Sequence, residues 1–218
     1  MTNNSWPLRA SACEFLAFSL RYPSQELAEA LYTGEWADAA TEIAEALELD
    51  FSVDSNTFAE VRNAASSEEL LHSLRAEATR LFIGSPEPAC SPFEGVWRAA
   101  DDGVDALLFV NPHSMDVERF CRACGLGRPE GTNEPLDFVA TEFELLQYLA
   151  MLAAGLAEPA EESPALSELP GGSAQNAYEL FMAEHVLTWM PRFAEKVQAE
   201  ARLPFYRIAA QFLLAFLR

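Results

Sequence analysis

The chain has a single lysine, Lys196, among its 218 residues, and its other thirteen basic residues are arginines. Because there are 34 acidic residues, the formal net charge is −20 at pH 7. Such an acidic excess counts against nucleic-acid binding, since phosphate contacts need a basic stripe. It also counts against docking on an anionic membrane surface, which attracts basic segments.

Residues that favour β-structure are scarce. There are only 9 valines and 3 isoleucines, whereas alanine and leucine number 36 and 28. This composition favours helices over sheets. Half of the residues are apolar, so the chain is not a disordered acidic tail, and its length is sufficient for a sizeable core. We therefore predict an all-α fold.

Segments that would direct the chain to a membrane or out of the cell are not evident. The longest uncharged apolar run, Leu145–Ala157, is too short to span a bilayer. The first residues have neither a positive region nor an apolar region typical of a secretory signal. The four cysteines show no pairing framework, which fits a reducing compartment. These features predict a cytoplasmic protein without stable membrane insertion.

Capping residues and prolines predict where the helices lie. Ser5 with Pro7 starts a helix that must end by Arg21, and Ser66 with Glu69 forms a capping box. Three prolines between Gly84 and Pro92 exclude a helix there. The other predicted helices start at Ser24, Trp36 (to about Leu49), His113 (to Cys124), Glu134–Pro135, Gln175 (to Trp189), Pro191 (to Glu200) and Pro204 (to Leu217). Leu107–Val110 is the only strand candidate.

Glycine and proline clusters predict how the chain is divided. We expect two lobes, at about 1–125 and 134–218, joined by a hinge loop at about 126–133. A segment at about 157–173, rich in proline, glycine and glutamate, is predicted to be an exposed acidic linker. Because a flexible linker permits exchange of lobes between two chains, the sequence is compatible with a monomer or a homodimer.

Constellations that would indicate catalysis are missing from the sequence. It has no phosphate-binding glycine loop and no nucleophile elbow, and the histidines His72, His113 and His185 are far apart. Adjacent acids such as Glu142 and Glu144 are typical of a solvated helix face. We expect neither an enzyme nor a cofactor or metal site.

Cys121 and Cys124 have the one spacing that suggests redox or metal chemistry. They fall at the end of a predicted helix, where the dipole does not lower a thiol pKa as it does at a helix start. A zinc site would need a second pair, and Cys13 and Cys90 stand alone. Structural cysteines are the simpler interpretation, and a small metal or redox protein is the alternative.

The acidic residues are concentrated in two blocks. Residues 22–61 contain ten acids and no base, and residues 129–191 contain eleven acids and no base. Solvated faces that maintain solubility are one explanation. A surface for a basic partner is the other. In that case the chain could be a general acidic helical adaptor.

Several large apolar residues lie in a segment expected to be irregular, from Leu81 to Trp97. They either fill the core or form a surface for an apolar ligand. With the acidic turn Glu134–Asp137, they suit a ligand that has both apolar and cationic parts.

Three blocks resemble the TorD/DmsD family of redox-enzyme maturation chaperones. The first contains Leu81-Phe82, Gly84, Pro86 and Ser91–Trp97. The second is Glu134-Pro135-Leu136-Asp137, which is similar to the family's hinge motif. The third extends from Phe181 through His185 and Trp189 to Phe193, and is followed by Pro204–Arg207. The resemblance covers the chain after about residue 75.

The resemblance implies an all-α, TorD-like helical bundle of about nine to eleven helices in two lobes, and a protein that is not an enzyme. It implies binding of the twin-arginine signal peptide of a molybdenum oxidoreductase, of the dimethyl-sulfoxide or trimethylamine-N-oxide reductase type. The chaperone would hold the apoprotein until molybdopterin is inserted, before Tat export. The implied signal-peptide-binding residues are Leu81, Phe82, Pro86, Pro92, Phe93, Trp97, Glu134, Pro135, Asp137 and Phe138.

One position departs from the family pattern, because Phe138 stands where the hinge motif usually has histidine. A polar contact or a pH response that depends on that imidazole is therefore not expected here. The acidic block and the lack of a phosphate loop also argue against nucleotide binding.

Overall fold

The computed structural model describes residues 5–84, 87–104, 111–127, 135–160 and 163–218. In these ranges the chain forms eleven α-helices and, apart from an isolated antiparallel bridge between Phe93 and Phe138, no β-structure. The predicted all-α class is confirmed. The strand candidate Leu107–Val110 lies outside the described residues. None of the described helices is long and apolar enough to cross a membrane.

The helices are, in chain order, α1 (Trp6–Leu20), α2 (Gln25–Thr33), α3 (Glu35–Ala46), α4 (Ser55–Val61), α5 (Ser67–Ala78), α6 (Glu94–Asp101), α7 (Pro112–Ala123), α8 (Val139–Ala154), α9 (Ala174–Phe181), α10 (Leu187–Glu200) and α11 (Pro204–Phe216). Two π-helical turns follow α5 and α9, at Thr79–Ile83 and Met182–Val186. Two short 3₁₀ turns, Leu166–Glu168 and Pro170–Gly172, precede α9.

Helix ends with local capping signals were predicted correctly. The side chains of Ser24 and Ser66 accept hydrogen bonds from the first turns of α2 and α5. α1 ends at Leu20, before Pro23, and α7 ends before Gly125, whose φ of +77° suits glycine. These ends follow sequence rules because the capping group lies within a few residues of the backbone that it satisfies.

Four features differ from the sequence-based expectation. Residues 94–101 form α6 instead of irregular backbone, and α10 continues through Pro191. Proline removes one hydrogen bond from a helix, a loss that the buried positions around it can offset. α8 begins at Val139, later than expected. The expected linker contains the two 3₁₀ turns and a buried Leu169.

The chain divides into two compact units, each built from separate stretches of sequence. The first unit comprises the residues up to Ala17 together with Pro92–Met190, and the second comprises Phe18–Ser91 together with Pro191–Arg218. The sequence-based division instead placed contiguous lobes on either side of residues 126–133. The units differ from it because α1 and α10 each contribute residues to both.

The core of the first unit is formed where α8 packs on α9. Its fully buried side chains include Phe143, Tyr178 and Phe181. The Tyr178 ring meets Trp6 edge to face at 5.3 Å, and the Arg9 guanidinium lies 5.6 Å from the centre of the Tyr178 ring. The start of α1 is thereby fixed to α9.

The core of the second unit surrounds Trp36. The Trp36 indole N–H donates to Ser19 Oγ at 2.9 Å, and its ring meets Phe205 edge to face at 5.4 Å. α2 packs on α3 and α5, and α11 packs on α4. Because Trp36 is 2% exposed, its single polar group needs this internal partner.

A buried carboxylate in the second unit joins α5 to the loop between α10 and α11. Glu77 accepts two hydrogen bonds from Arg80, at 2.9 and 2.8 Å, and one from the Arg202 backbone N–H at 2.6 Å. Burial by itself raises the pKa of Glu77, but these hydrogen bonds outweigh it and hold the pKa below its usual range. Glu77 therefore stabilises the fold in its ionised form.

We expect Glu77→Gln to lower the free energy of unfolding by about 1–2 kcal/mol at pH 7, because charge-assisted hydrogen bonds to partly exposed Arg80 become neutral ones. Since the pKa of Glu77 is lowered on folding, its contribution is present above the ordinary glutamate pKa and declines as the pH falls. Urea unfolding at several pH values should show the two proteins converging in acid. The exposed Glu68→Gln is the control, and a difference independent of pH would contradict this assignment.

Candidate functional site

Residues 92–94 of the first block and residues 137–139, at the end of the second block and just after it, lie side by side in the first unit. Phe93 and Phe138 form the antiparallel bridge, and their ring centres are 5.6 Å apart. The Glu94 N–H donates to the Asp137 carbonyl at 3.0 Å, and the Val139 N–H donates to the Pro92 carbonyl at 2.9 Å. Backbone hydrogen bonds thus fix the start of α6 against the start of α8.

The Asp137 side chain caps α6 from outside the helix. Its Oδ2 accepts from the Gly95 N–H at 2.9 Å and from Ser114 Oγ at 2.6 Å. The Asn111 side-chain amide donates to the Gly95 carbonyl at 2.7 Å. α6 has no side-chain cap from its own preceding residue, Phe93, so this distant carboxylate supplies the acceptor that a helix start requires.

Gly95 has to be a glycine for reasons of space. A Cβ added there would lie 2.3 Å from Ser114 Oγ and 3.0 Å from Asp137 Oδ2. Gly84, in the second unit, is similarly enclosed, since its Cβ would lie 2.9 Å from the Glu87 carbonyl oxygen. Both glycines of the first block are therefore positions where other segments approach the backbone closely.

Glu94 is completely buried and links α6 to the third block. Its carboxylate lies 3.0 and 3.2 Å from Nδ1 of His185, which is 2% exposed. It also accepts a 2.9 Å hydrogen bond from Arg98, one turn further along α6. Arg98 in turn donates to the Glu184 carbonyl at 3.0 Å. The hydrogen bonds from Glu94 and Arg98 thus hold α6 against the π-helical turn that contains His185.

Aromatic rings enclose the other side of His185. The Phe181 ring stacks on the imidazole with centres 4.7 Å apart, and the Phe120 ring meets it edge to face at 5.9 Å. The enclosure keeps water away from the Glu94–His185 contact. π-Helical turns are often found at functional sites, and both of those in the described residues carry residues of the resembling blocks.

Glu142 brings a third buried carboxyl group to the same place. It is 1% exposed, and its Oε2 accepts from the Trp189 indole at 3.2 Å. Burial, and then the charges of Glu94 and Asp137, raise its pKa well above the usual range, and a hydrogen bond to Glu94 acts in the same direction. This environment favours the neutral form of Glu142, and its other oxygen, Oε1, is buried without a hydrogen-bond partner. The expectation that Glu142 lies on a solvated face is wrong.

We refer to Glu94, Asp137 and Glu142 as the carboxyl cluster. Burial raises the pKa of Asp137 as well, although its hydrogen bonds from Ser114 and Gly95 counteract part of the shift. Asp137 Oδ1 is buried and makes no hydrogen bond. No grouping of metal-ligating side chains suited to an ion was found in the described parts of the chain. Through Asp137, Glu94 and His185, buried hydrogen bonds connect the three sequence blocks inside the first unit.

The sequence-predicted peptide contacts fall into three groups. Leu81, Pro92, Pro135 and Asp137 are buried, whereas Phe82, Phe93, Trp97 and Phe138 are only partly buried. Pro86 and Glu134 lie outside the described residues. Leu81 and Phe82 belong to the second unit, where Phe82 contacts the rings of Phe193 and Tyr206. The other described residues of the set belong to the first unit.

The environment of the four cysteines is typical of structural residues. All four are buried and free. Burial raises the pKa of Cys13, Cys121 and Cys124 to about 12 and that of Cys90 to about 11. A thiol with such a pKa is a poor nucleophile and a poor metal ligand at neutral pH. This environment argues against the redox alternative for Cys121 and Cys124.

Sequence reasoning missed Ser114, Asn111 and Glu142 as members of the site. Asn111 does carry a local signal, because it caps α7 by accepting from the His113 N–H at 2.8 Å. Ser114 and Glu142 sit at unremarkable helical positions. Their role arises only when α7 and α8 face α6.

Comparison with known proteins gives matches over most of the chain. Residues 19–195 match the family model described as nitrate reductase delta subunit. The chain is 30% identical over 145 residues to the chaperone protein TorD of Vibrio cholerae serotype O1 strain M66-2, covering 66% of this chain and 59% of the relative. It is 25% identical over 177 residues to TorD of Aliivibrio fischeri, covering 81% and 75%. The chain thus spans less than two thirds of the length of the Vibrio cholerae relative.

We expect Glu142→Gln to raise stability at pH 7–8 and to flatten its pH dependence. Glutamine can accept from the Trp189 indole as Glu142 does, and it has no charge to bury. Because the pKa of Glu142 is raised on folding, wild-type stability should decline as the pH rises above the ordinary value of 4.5. One proton corresponds to a slope of at most about 1.4 kcal/mol per pH unit. Urea unfolding from pH 5 to 8 measures this slope, with exposed Glu179→Gln as the control. Equal slopes in wild type and Glu142→Gln would contradict it.

We expect Gly95→Ala to destabilise the protein by about 2–4 kcal/mol, because the added methyl group would overlap Ser114 Oγ and disturb the Asp137 cap. Adding Ser114→Gly should restore part of the loss by removing the overlapping hydroxyl. Thermal and urea unfolding of the single and double variants measure the coupling. Strictly additive effects would show that the contact with Ser114 does not limit the size of residue 95.

Proposed function

We propose, because this chain belongs to the nitrate reductase delta subunit (NarJ/TorD) family, that it is a cytoplasmic maturation chaperone for a molybdenum oxidoreductase of the dimethyl-sulfoxide or trimethylamine-N-oxide reductase type. It binds the twin-arginine signal peptide of that client and holds the apoprotein while molybdopterin is inserted, before Tat export. The protein acts by binding and catalyses no reaction. The printed name of its relatives, chaperone protein TorD, supports this assignment.

The observation that carries the proposal is the convergence of the three family-like blocks on the carboxyl cluster. Glu94, Asp137 and His185 come from three different blocks and lie within one hydrogen-bonded network. Residues of a catalytic site would be expected to face a cleft, whereas these are at most 2% exposed. The blocks therefore serve to hold the surrounding backbone in place for binding.

The partly buried aromatic residues are the proposed peptide contacts. Backbone hydrogen bonds between the two blocks fix the chain on either side of Phe93 and Phe138. Trp97 lies in the first turn of α6, which begins at this junction. Such pre-ordered aromatic side chains bind an apolar segment with little loss of conformational entropy. Phe82 is the corresponding partly buried residue in the second unit. Apolar burial, at roughly 25 cal/mol per Å², supplies most of the affinity for the apolar part of a signal peptide.

The buried members of the predicted set act through these contacts. Asp137 uses its Oδ2 inside the protein, so we assign it to positioning α6 rather than to pairing with arginine. Glu134, on the same hinge motif, is the proposed partner of the twin arginines. Exposed carboxylate–arginine pairs contribute only about 0–1 kcal/mol each, and they mainly accelerate encounter and exclude acidic segments.

Phe138, which stands where the family's hinge motif usually has histidine, changes the chemistry of the proposed binding surface. The Phe138 ring contacts Phe93, which enlarges the apolar surface at the junction of the two blocks. An imidazole there would introduce a group that titrates near neutral pH. We therefore propose that peptide binding by this protein depends less on pH between 6 and 8 than binding through a hinge histidine would.

We expect calorimetry to detect binding of a synthetic leader peptide that carries Arg-Arg followed by an apolar segment. Trp97→Ala should weaken binding at least tenfold, or about 1.4 kcal/mol, through lost apolar contact. Raising the salt concentration should have a smaller effect. Circular dichroism checks that the variant is folded, and Leu156→Ala, at an exposed leucine, is the matched control.

A peptide with Lys-Lys in place of Arg-Arg separates this function from the alternative of a general acidic adaptor. Arginine can form bidentate hydrogen bonds with a carboxylate and lysine cannot. Equal binding of the two peptides would favour the adaptor. Absence of binding by both monomeric and dimeric fractions would contradict the chaperone proposal.

A further inference from the structure

Arg98 joins α6 to the π-helical turn Met182–Val186 through a single nitrogen atom. Its Nη1 donates to Glu94 Oε1 at 2.9 Å and to the Glu184 carbonyl at 3.0 Å. Thr188 Oγ1, at the start of α10, accepts a longer hydrogen bond of 3.4 Å from the same nitrogen. One guanidinium thus connects α6, the π-helical turn and the start of α10 within the first unit.

The same π-helical turn is attached to α6 at a second point. His185 Nδ1 lies 3.0 Å from Glu94 Oε2. Because Glu94 and Arg98 are one helical turn apart, they lie on the same face of α6. Two attachments on one face oppose rotation of the helix about its axis. The cap from Asp137 acts instead at the end of the helix, on the Gly95 N–H.

The rotation of α6 about its axis decides where the indole ring of Trp97 points. Trp97 directly precedes Arg98 and is partly buried. Successive residues of an α-helix are about 100° apart around the axis, so a rotation that moves one side chain moves its neighbour by the same angle. A tryptophan side chain has few torsion angles with which to compensate. The contacts of Arg98 therefore restrict the orientation of Trp97.

Attraction of the ligand does not explain a cation at position 98. The proposed peptide carries two arginines, and a basic side chain beside its binding surface opposes its approach. The Arg98 side chain is only 25% exposed, whereas its partner Glu94 is completely buried and needs a positive charge nearby. The internal contacts of Arg98 account for its location where ligand attraction does not.

We propose that Arg98 is a positioning residue for peptide binding. It holds α6 in the rotation that presents the Trp97 ring to the apolar part of the leader peptide, and it does not contact the peptide itself. The inference rests on the proposed function, since it concerns the same surface. The affinity for a leader peptide then depends on contacts between α6 and the π-helical turn, which are made by side chains other than the peptide contacts.

Acrylamide quenching of tryptophan fluorescence tests the orientation of Trp97. The other three tryptophans, at positions 6, 36 and 189, are at most 7% exposed, so quenching arises mainly from Trp97. We expect Arg98→Gln to raise the quenching constant roughly twofold, because an indole that is no longer held in place is more accessible to solvent. Arg122→Gln is the matched control, since it removes the same charge from an exposed pair with Glu118. Equal quenching of the two variants would contradict the proposal.

Calorimetry with the leader peptide tests the effect on binding. Arg98→Gln should weaken binding about three- to tenfold, although it removes a charge that opposes a cationic ligand. Arg122→Gln should bind at least as tightly as wild type. In a Trp97→Ala background, Arg98→Gln should not change Kd further, because its effect acts through Trp97. Additive effects of the two substitutions would overturn the proposal. So would an Arg98→Gln protein that is less stable but binds with wild-type affinity.

Arg98→Lys is a second variant, in case Arg98→Gln does not fold. It keeps a positive charge next to buried Glu94, but its shorter side chain lacks the planar guanidinium that contacts the Glu184 carbonyl. Quenching and Kd should both rise, by less than in Arg98→Gln, and circular dichroism checks that each variant is folded. If Arg98→Gln does not fold, wild-type quenching and affinity in Arg98→Lys would overturn the proposal.

Failure of this proposal can be distinguished from failure of the proposed function. If leader binding depends on Trp97 but the Arg98 variants keep wild-type quenching and affinity, Arg98 is not a positioning residue and the chaperone function stands. If wild type binds no leader peptide, the chaperone function fails. Quenching then still decides about Arg98, because a raised constant supports its control of the Trp97 ring and an unchanged constant overturns it.

Discussion

The hydrogen bonds that Asp137 accepts from the start of α6 are the constraint on which the arrangement of the first unit depends. An eight-residue helix with a glycine in its first turn and no cap from its own preceding residue is unstable on its own. The acceptors it needs come from Asp137, whose carboxylate and carbonyl bind the Gly95 and Glu94 N–H groups. Once α6 begins at Glu94, that side chain is directed at His185, and Arg98 falls one turn later on the same face.

Burying three carboxyl groups together would be prohibitive if all of them were ionised. The structure limits the cost in two ways. Glu94 is paired with Arg98 and lies against His185, and burial together with the acidic neighbours raises the pKa of Glu142 and so favours its neutral form. Such a network adds little net stability compared with an apolar core. It specifies which segments meet, because each polar atom has few acceptable partners.

The hydrogen bonds inside the first unit also hold the backbone of the proposed peptide contacts in place. Phe93, Trp97 and Phe138 are partly exposed, and their backbones are held by the bonds that pair the first two blocks. The backbone beneath the aromatic side chains is thus held by hydrogen bonds, although Phe93 and Phe138 precede α6 and α8 and lie outside regular helix. The acidic residues also differ from one another in their exposure to solvent. Asp137 and Glu142 are internal, whereas Glu60 and Glu69 of the second unit are exposed.

The sequence by itself determined the all-α class, the helix ends with local caps, and the blocks that resemble the family. Each of these depends on residues a few positions apart, where composition, capping and proline geometry act directly. Only the tertiary structure decided that α6 exists, that α10 passes through Pro191, and that Glu142 is buried. Those outcomes depend on partners far away in the chain, such as Asp137 for Gly95 and Trp189 for Glu142. The scarcity of bases predicted an acidic protein, but burial alone separated the carboxyl groups that hold the fold together from those that face solvent.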